Sequence, residues 1–369
     1  MQQFIETTRN NIIKPIQTVS GVVERKQPLP ILANILIKKK GNIVSFIGTD
    51  LDIQICTESP IGIDEDDFST TVSARKINDI LSTLKDEDTI TIGSKGDHLT
   101  LKSGKSKFEL QTLPADDFPS MNQSEFTHGF SMPCQKFRYM LSMVYFAAAQ
   151  NNIRFFLNGV LISAENQTIK AVATDGHRLA LCQIDQSETV SRKFDAIIPR
   201  KTVKELMRLI PDSEEMLSFD ISSNQIKVMF NGIEIISKLI EGRFPDYERV
   251  IPSTNDKIFL VNRDELSLAL QRVAILTTDK FKGVRWTLSS GKLIIAATNA
   301  EMEEAEDEIE IQYSGENLEI GFNVSYLLDV LNVLKNNEVR FSLGGPLSSA
   351  LITMPDSENF KFVVMPMSI

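Results

Sequence analysis

Apolar residues recur every three or four positions near the start of each third of the chain, and this spacing predicts three amphipathic helices. Asn262, with Glu265 three residues later, predicts a capped start for the third helix. Pro15 is expected early in the first helix, where a missing N–H costs little. The apolar positions are Ile12, Ile16, Val19 and Val23; Phe137, Met140, Leu141, Val144 and Ala148; and Leu266, Ala269, Leu270 and Val273.

A second helical pattern in each third begins near Ser73, Pro199 and Asn323. Strands are expected elsewhere, because residues 51–55 alternate apolar and polar positions as a half-buried strand does. The first strand after each opening helix is predicted at residues 35–37, 160–162 and 284–286, with hairpin turns at Gly41-Asn42, Glu165-Asn166 and Ser290-Gly291. The order helix, strands, helix, strands predicts an α+β fold of antiparallel sheets, with two helices per third and an internally duplicated architecture.

The thirds are copies of one another, since short motifs return after about 125 residues, a period of domain size. Thr49-Asp50 returns as Thr174-Asp175 and then as Thr298-Asn299. In the same way Arg75-Lys76 returns as Arg200-Lys201, and Phe118-Pro119 as Phe244-Pro245. The repeat predicts three similar domains, at residues 1–124, 125–252 and 253–369. Three such domains in one chain describe a curved array, and a curved array can close.

The composition is that of an ordinary globular protein, with 42% hydrophobic and 24% charged residues. Residues 1–6 have no basic or apolar stretch of a signal peptide, and no apolar run approaches the roughly 20 residues that cross a bilayer. The three cysteines, Cys56, Cys134 and Cys182, are widely spaced and indicate neither a disulfide framework nor a zinc site. These features predict a cytoplasmic protein without a membrane partner.

The formal net charge of −10 is unusual for a protein that binds nucleic acid. The charges are unevenly distributed, however, since acidic residues cluster at 301–308 and basic residues stand where second helices begin. An acidic outside with a basic inside would offer phosphate one favourable surface. The alternative, that these clusters are solvated helix faces, remains open.

The chain lacks the patterns of an enzyme. Asp175 and His177 lie close together, but a catalytic triad also needs a nucleophile, and no Gly-x-Ser-x-Gly elbow occurs. The other histidines, His98 and His128, are not at metal-ligand spacing with His177. Residues 102–106 end as a phosphate loop does but lack its first glycine, and no dinucleotide fingerprint occurs. The prediction is a non-enzymatic protein without metal or cofactor; a hydrolase using His177 and Asp175 and a protein-only scaffold are the alternatives.

Seven short segments follow one another across the whole chain: LPIL at 29–32, GTDL at 48–51, RFFLNG at 154–159, ATDGHRLA at 173–180, GRFPDY at 242–247, GFNVSY at 321–326 and VVMPM at 363–367. In this order they resemble the bacterial DNA polymerase III beta subunit family, the sliding clamps. The resemblance implies a non-enzymatic processivity factor, in which two head-to-tail subunits form a ring around duplex DNA without sequence specificity.

The resemblance implies DNA contacts at Arg25-Lys26, at Arg75 and around Asn151, and the repeat adds a further place. The family often has glutamine at the position of Asn151 and tyrosine at the positions of Phe155 and Phe156. The neighbouring Gln150 is therefore expected to supply the side-chain amide that glutamine provides in the family. Arg200 and Lys201 are added as the repeat equivalents of Arg75 and Lys76. The expected DNA-binding residues are Arg25, Lys26, Arg75, Lys76, Gln150, Asn151, Phe155, Phe156, Arg200 and Lys201.

The resemblance also implies an apolar cleft for short peptides of the polymerase III catalytic subunit, the clamp loader, other polymerases and repair proteins. The cleft residues are Leu157, Thr174, Gly176, His177, Arg178, Leu179, Pro245, Arg249, Val250, Ser349, Val363, Val364, Met365, Pro366 and Met367. Methionine suits a cleft that serves many partners. An ordinary core strand is the alternative for the apolar C-terminus, which has Ser368 where the family commonly has arginine.

The third implied site is the interface of a homodimer. A basic strand of the first domain would meet an acidic one of the other subunit's third domain, with apolar residues contributing most of the binding energy. The expected residues are Lys105, Lys107, Phe108 and Leu110 on one side and Ile275, Leu276, Glu303, Glu304 and Glu306 on the other.

Overall fold

The computed structural model describes residues 2–24, 29–63, 66–121, 124–186, 190, 192–278 and 281–368. Within these ranges the chain forms three copies of one module, each with eight strands and two α-helices. No helix in the described part of the chain is both long and apolar enough to span a bilayer.

The elements of the three modules occur in the same order. The first module has strands β1 (Gln2–Thr8), β2 (Asn34–Lys40), β3 (Ile43–Thr49), β4 (Ile53–Ser59), β5 (Phe68–Ser73), β6 (Thr89–Lys95), β7 (His98–Ser103) and β8 (Ser106–Leu113), with helices α1 (Arg9–Ser20) and α2 (Ala74–Ser82). The second has β9 (His128–Pro133), β10 (Gly159–Glu165), β11 (Thr168–Thr174), β12 (Arg178–Asp185), β13 (Phe194–Pro199), β14 (Met216–Ile221), β15 (Gln225–Phe230) and β16 (Ile233–Lys238), with α3 (Cys134–Ser142) and α4 (Arg200–Leu209). The third has β17 (Lys257–Asn262), β18 (Gly283–Ser289), β19 (Lys292–Thr298), β20 (Glu304–Glu310), β21 (Leu318–Asn323), β22 (Glu338–Leu343), β23 (Ala350–Met354) and β24 (Ser357–Val364), with α5 (Arg263–Ala274) and α6 (Val324–Val333).

Each module is itself a duplication. A strand, a helix and three strands follow one another twice, and the first strand of each half joins the sheet of the other half. In the first module β1 pairs with β6, and β5 pairs with β2, both antiparallel. The predicted α+β fold, with antiparallel sheets and two helices in each repeat, is confirmed.

The last strand of one module pairs with the fourth strand of the module before it. At the first junction β16 pairs with β4, which joins two four-stranded sheets. The β1–β6–β7–β8 sheet is attached to them through β8 and β5, which gives twelve strands in all. At the second junction β24 pairs with β12 and forms an eight-stranded sheet. The chain divides into two compact units, residues 1–135 with 204–239 and residues 136–203 with 240–369, and each junction lies inside one unit.

The opening helices pack their predicted apolar faces on their own modules. Helix α1 contacts β3 and β4 through Ile12, Ile13, Ile16 and Val19, and α5 contacts β19 and β20 through Leu266, Ala269, Leu270 and Val273. The Asn262 cap is confirmed, since its side chain accepts hydrogen bonds from the N–H groups of Asp264 and Glu265 at 3.0 Å. Two details of α1 were wrong: Val23 lies beyond the helix, and Pro15 is the seventh helical residue rather than an early one.

The recurring Thr-Asp pair is a turn between the third and fourth strands. The Thr49 hydroxyl bonds to the Ile53 carbonyl, and Asp50 Oδ1 accepts the N–H of Ile53 at 2.8 Å. Thr174 and Asp175 make the same bonds to Arg178. The strand prediction at residues 51–55 was wrong at its start, because Leu51 lies in the turn with φ 79° and β4 begins at Ile53.

The predicted hairpin turns hold at Gly41-Asn42 and Ser290-Gly291, which lie between consecutive paired strands. The middle turn was predicted one residue too early. Glu165 is the last residue of β10, and the turn is formed by Asn166, with φ 54°, and Gln167. Asparagine tolerates a positive φ better than most residues, which accounts for the shift.

Candidate functional site

A concave cleft of about 370 Å³ lies at the second junction, where β12 meets β24. This volume is typical of pockets that bind small ligands or peptide side chains. Fourteen residues line it: Arg154, Leu157, Thr174, Gly176, His177, Arg178, Leu179, Pro245, Asp246, Tyr247, Val250, Ser349, Val363 and Met365. The structure thus brings together eleven of the fifteen residues expected in the cleft.

The floor of the cleft belongs to the hydrophobic core. Leu179 and Val363 face each other across the β12–β24 pair and are both 3% exposed. They belong to a buried cluster with Leu161, Val172, Leu181, Ile197 and Phe244, against which Phe156 and Tyr247 also pack. The floor is therefore rigid and apolar, because its residues are held by a packed core rather than by loops.

The mouth of the cleft exposes apolar side chains to solvent. Val250 is 54% exposed and Met365 is 49% exposed. Beyond β24 the chain end is held by the main chain, since the Met365 N–H donates to the His177 carbonyl and the Met367 N–H to the Gly321 carbonyl, both at 2.9 Å. An open apolar mouth over a packed floor can take up apolar side chains of a partner.

Four of the expected cleft residues do not line this cavity. Val364 is fully buried, and its neighbour Val363 lines the cleft, as alternation along a strand requires. Arg249 is exposed and pairs with Asp246 at 2.7 Å. Pro366 and Met367 continue the chain past the mouth.

Three lining residues were missed: Arg154, Asp246 and Tyr247. Arg154 and Asp246 directly precede or follow a predicted site residue, and Tyr247 lies two residues from both Pro245 and Arg249. Asp246 and Tyr247 follow Pro245, at the point where Tyr247–Val250 forms a 3-10 turn. The family motif GRFPDY contains both residues and could have placed them at the cleft.

The loop that carries His177 is fixed by Asp175. Asp175 Oδ1 accepts the N–H groups of His177 and Arg178 at 2.9 and 3.1 Å, and its Oδ2 accepts from Arg178 Nε at 3.1 Å. Gly176 adopts φ 94°, which suits glycine, and its Cα faces the Arg154 guanidinium. Both oxygens of Asp175 are therefore engaged in holding the turn of residues 174–178.

Arg178 is a lining residue, but its guanidinium bonds to other elements. Nη1 donates to Asp329 Oδ2 at 2.6 Å, and Nη2 donates to the Phe146 carbonyl at 2.7 Å. The guanidinium carbon also lies 4.3 Å from the ring centre of Tyr326 on α6. Burial, together with nearby Asp175, raises the pKa of Tyr326. Through these contacts the Arg178 side chain connects the second module to the third.

The same positions at the first junction are polar. The register of β4 with β16 repeats that of β12 with β24, so Asp52, Gln54 and Lys238 stand where His177, Leu179 and Met365 stand at the cleft. Asp52 pairs with Lys238 at 3.0 Å, and Gln54 Oε1 accepts the Met121 N–H at 3.0 Å. These polar side chains are engaged within the protein, whereas at the second junction Leu179 belongs to the apolar floor of the cleft and Met365 is exposed at its mouth.

The predicted DNA contacts around residue 150 lie on an exposed loop. Gln150 and Asn151 are exposed, and Asn151 adopts φ 55°. Asn152 and Asn158 brace the loop, because the Asn152 N–H donates to Asn158 Oδ1 at 2.8 Å. Phe155 is half-exposed and Phe156 packs against the floor of the cleft, so the two rings have different surroundings.

The predicted basic contacts stand at the first turns of α2 and α4. Arg75 and Lys76 are exposed, and Arg75 pairs with Asp79 at 3.4 Å. Arg200 instead bonds to the Tyr145 and Ala148 carbonyls and lies over the Tyr145 ring at 4.5 Å, so it braces its own module. Lys201 is partly buried. Arg25 and Lys26 lie outside the described residues.

The residues expected at a dimer interface lie at two edge strands. In the described chain β20 pairs only with β19, and β8 pairs with β7 and, at Thr112 and Leu113 alone, with β5. Lys105 and Lys107 are exposed and Phe108 and Leu110 are half-buried on the β8 side; Glu303 and Glu304 are exposed and Glu306 lies on the outer strand on the β20 side. Ile275 is 77% exposed and Leu276 is half-buried just after α5.

The three cysteines are buried or partly buried and remain protonated thiols. Burial raises the pKa of the Cys56 thiol to about 11 and that of the Cys182 thiol to about 12, and it also raises the pKa of Cys134. Within the described ranges no group of three or more His, Cys, Asp or Glu side chains is placed to hold a metal ion.

Comparisons with known proteins cover the whole chain. Family models of the N-terminal, central and C-terminal domains of the DNA polymerase III beta subunit match residues 3–122, 131–246 and 248–368. The beta sliding clamps of Pseudomonas aeruginosa and Escherichia coli K12 are 41% and 39% identical over 361 residues, 98% of this chain and 98% of each relative. A crystal structure of the Pseudomonas aeruginosa sliding clamp bound to griselimycin has a TM-score of 0.96 at 40% identity, and the Caulobacter crescentus DNA polymerase sliding clamp has 0.93 at 32%; both alignments cover 100% of each chain.

Proposed function

The chain belongs to the DNA polymerase III beta subunit family, and on that premise we propose how it performs the processivity-clamp role of its relatives. Two copies close into a ring around duplex DNA. The cleft at the second junction tethers the replicative polymerase and other DNA-processing proteins. The observation that carries the proposal is that the modules join by one repeated strand pairing, which leaves β20 and β8 with open edges.

Ring closure follows from repeating the internal junction between copies. Strand β4 takes β16 as its partner and β12 takes β24, so β20 of one copy would take β8 of another. An unpaired strand edge favours pairing with another chain. Because the two edges differ, the contact is head-to-tail, and such contacts close into rings when the rotation fits.

The register of the internal junction also pairs the charges. In the β4–β16 pair Glu234 faces Cys56. By their distance from the hairpin turns, Lys107 corresponds to Glu234 and Glu306 to Cys56. The repeated junction therefore puts Lys107 of one copy opposite Glu306 of the other. The half-buried Phe108 and Leu110, with Ile275 and Leu276, supply the apolar contacts that dominate such an interface.

DNA contacts can be weak in a closed ring, because confinement prevents escape. Phosphate contacts position a protein on DNA without reading sequence. The exposed Arg75 and Lys76 at the start of α2 suit this role, since a helix N-terminus also favours an anion. The exposed Gln150, Asn151 and Phe155 offer amides and one aromatic ring. The other DNA contacts proposed are Arg25, Lys26, Phe156, Arg200 and Lys201.

The cleft is proposed to bind short apolar peptides of the polymerase III catalytic subunit, the clamp loader, other polymerases and repair proteins. A buried Leu or Phe anchor contributes about 1.5–3 kcal/mol. The protein acts as an accessory factor, and we propose that it works in the cytoplasm as a homodimer without catalysis or a cofactor. The domain limits 1–124, 125–252 and 253–369 remain part of this proposal.

The test of the ring is retention on DNA. The protein is loaded by an ATP-dependent clamp loader onto a nicked circular plasmid, and bound protein is measured by gel filtration before and after the circle is cut once. A closed ring stays on the circle and slides off the linear product. Equal retention on both forms would refute encirclement and favour direct adhesion to DNA, whereas no retention on either form would favour the protein-only scaffold.

A further inference from the structure

The guanidinium of Arg178 is engaged by four groups of this chain. It bonds to Asp175, to Asp329 and to the Phe146 carbonyl at 2.6 to 3.1 Å, and it stacks on Tyr326. The side chain is 10% exposed. All three nitrogens donate, so its charge is satisfied before any peptide arrives.

Arg178 is nevertheless the first residue of β12 and lies between two lining residues, His177 and Leu179. Its main-chain N–H is held by Asp175, and its Cα pairs with that of Val364. A residue in this position sets where the turn of residues 174–177 stands relative to the strand that carries Val363. The groups that bond to the Arg178 guanidinium therefore set the width of the cleft.

Asp329 is the outermost group holding that side chain. It lies on α6 of the third module, does not line the cleft, and has a side chain that is 40% exposed. Asp175 belongs to the turn itself and the Phe146 carbonyl to the second module. Of the charged partners only Asp329 pulls Arg178 toward the third module, which also supplies Val363 and Met365 to the cleft.

We propose that Asp329 is a positioning residue for the peptide cleft: through the Arg178 guanidinium it holds the β12 wall against the third module without touching the peptide. The inference rests on the proposed peptide-binding function of the cleft. Charge-assisted hydrogen bonds are roughly twice as strong as neutral ones, so neutralising Asp329 weakens this hold while leaving an oxygen in place. Its partial exposure lets the substitution be made without opening the core.

The test uses the full-length protein and a fluorescein-labelled synthetic peptide that carries a Leu-Phe pair, with affinity measured by fluorescence anisotropy. The variants are Asp329→Asn, Asp329→Glu and Arg178→Lys, singly and as the Asp329→Asn/Arg178→Lys double substitution. Glu165→Gln is the matched control, since it removes an ion pair with Lys193 in the same compact unit away from the cleft. Hydrogen exchange of the amides of residues 176–179 is followed without peptide.

We expect Asp329→Asn to bind the peptide about fivefold more weakly, with faster exchange at residues 176–179 and an unchanged melting temperature. Asp329→Glu restores binding, Glu165→Gln has no effect, and Asp329→Asn adds little in the Arg178→Lys background because the two residues act together. Unchanged affinity in Asp329→Asn, or an equal loss in both backgrounds, overturns the proposal.

Failure of the proposed function looks different from failure of this inference. If the unsubstituted protein does not bind the peptide, peptide binding at the cleft is refuted. The exchange measurement still decides whether Asp329 positions residues 176–179: unchanged exchange in Asp329→Asn refutes the positioning role by itself.

Discussion

At the scale of single residues, the cleft depends on side chains that differ between two otherwise equivalent junctions. Leu179 is part of an apolar floor, whereas Gln54 at the same position of the first junction bonds to the main chain of Met121. Met365 is exposed at the mouth, whereas Lys238 pairs with Asp52. The same backbone arrangement therefore forms an open cleft at the second junction and a surface of bonded polar side chains at the first, because a few side chains differ.

Replacing Gly176 with alanine is expected to weaken peptide binding and to lower stability by about 1 kcal/mol. The strain follows from φ 94°, and the added methyl group would also push the Arg154 guanidinium from its place at the cleft. Thermal unfolding gives the stability, and peptide titration gives the affinity.

Gly291→Ala is the control, because Gly291 has φ 79° with nothing within 4 Å of an added Cβ. It should lose similar stability and keep full affinity. Equal affinities for the two variants would show that Arg154 has no part in the cleft.

Residue patterns predicted some side chains better than others. The repeat marked the Thr-Asp pair but did not show that it forms a turn, because the alternating pattern of residues 51–55 hides the positive φ of Leu51. The family motif located Arg178 at the cleft. It did not show that Asp329, about 150 positions away, would hold the guanidinium, because long-range ion pairs leave no local pattern.

At the scale of elements, the C-terminal strand and the tail beyond it have separate roles. Strand β24 joins two modules by pairing with β12 and β23. The tail from Met365 onward makes main-chain bonds only to His177 and Gly321 among the bonds described. The strand therefore contributes to the fold, and the tail completes the mouth of the cleft.

Deleting residues 365–369 is expected to abolish measurable peptide binding while the protein stays folded. The deletion removes the exposed Met365 side chain and leaves the β12–β24 pairing intact. Circular dichroism checks the fold, and anisotropy checks the affinity.

A shorter deletion of residues 368–369 serves as the control and should keep most of the affinity, since Ser368 is exposed and does not line the cleft. Undiminished binding after the longer deletion would mean that the mouth of the cleft has been misplaced.

Element types were predictable because apolar spacing and turn residues are local properties. The two helices per repeat and the strand hairpins follow from them, as the Asn262 cap and the turn at Gly41-Asn42 illustrate. Strand exchange between the halves of a module was not predictable. Which of two similar sheets β1 or β5 joins is decided by packing across more than 30 residues, for which the sequence has no periodic signal.

At the scale of the whole molecule, the last strand of the second module and that of the third each pair with the module that precedes them in the chain. The fourth strands β4 and β12 each pair with the last strand of the next module, whereas among the described residues β20 pairs only with β19. A second copy can supply β8, whose outer edge is open. The repeat that is visible in the sequence thus accounts for both the internal seams and the proposed assembly.

Replacing Ile275 and Leu276 together with aspartate is expected to give a monomer at micromolar concentration. Burying these side chains in a dimer is favourable, whereas an aspartate at either position is costly to desolvate. Sedimentation velocity measures the mass.

Leu268→Asp, another exposed apolar position on α5, is the control and should stay dimeric. A dimer that persists in the double variant would place the interface elsewhere.

The polar side chains at the first junction have a consequence for how several proteins would use the proposed cleft. Asp52, Gln54 and Lys238 are bonded there, and Glu304 has the position of Leu179 in the third module, so among the described residues the proposed peptide surface occurs at one of three equivalent places. Proteins that need the same surface at the same time must compete for it, and their order of use follows from relative affinity and abundance. Exchange from one to the next is then a matter of displacement rather than of simultaneous occupancy.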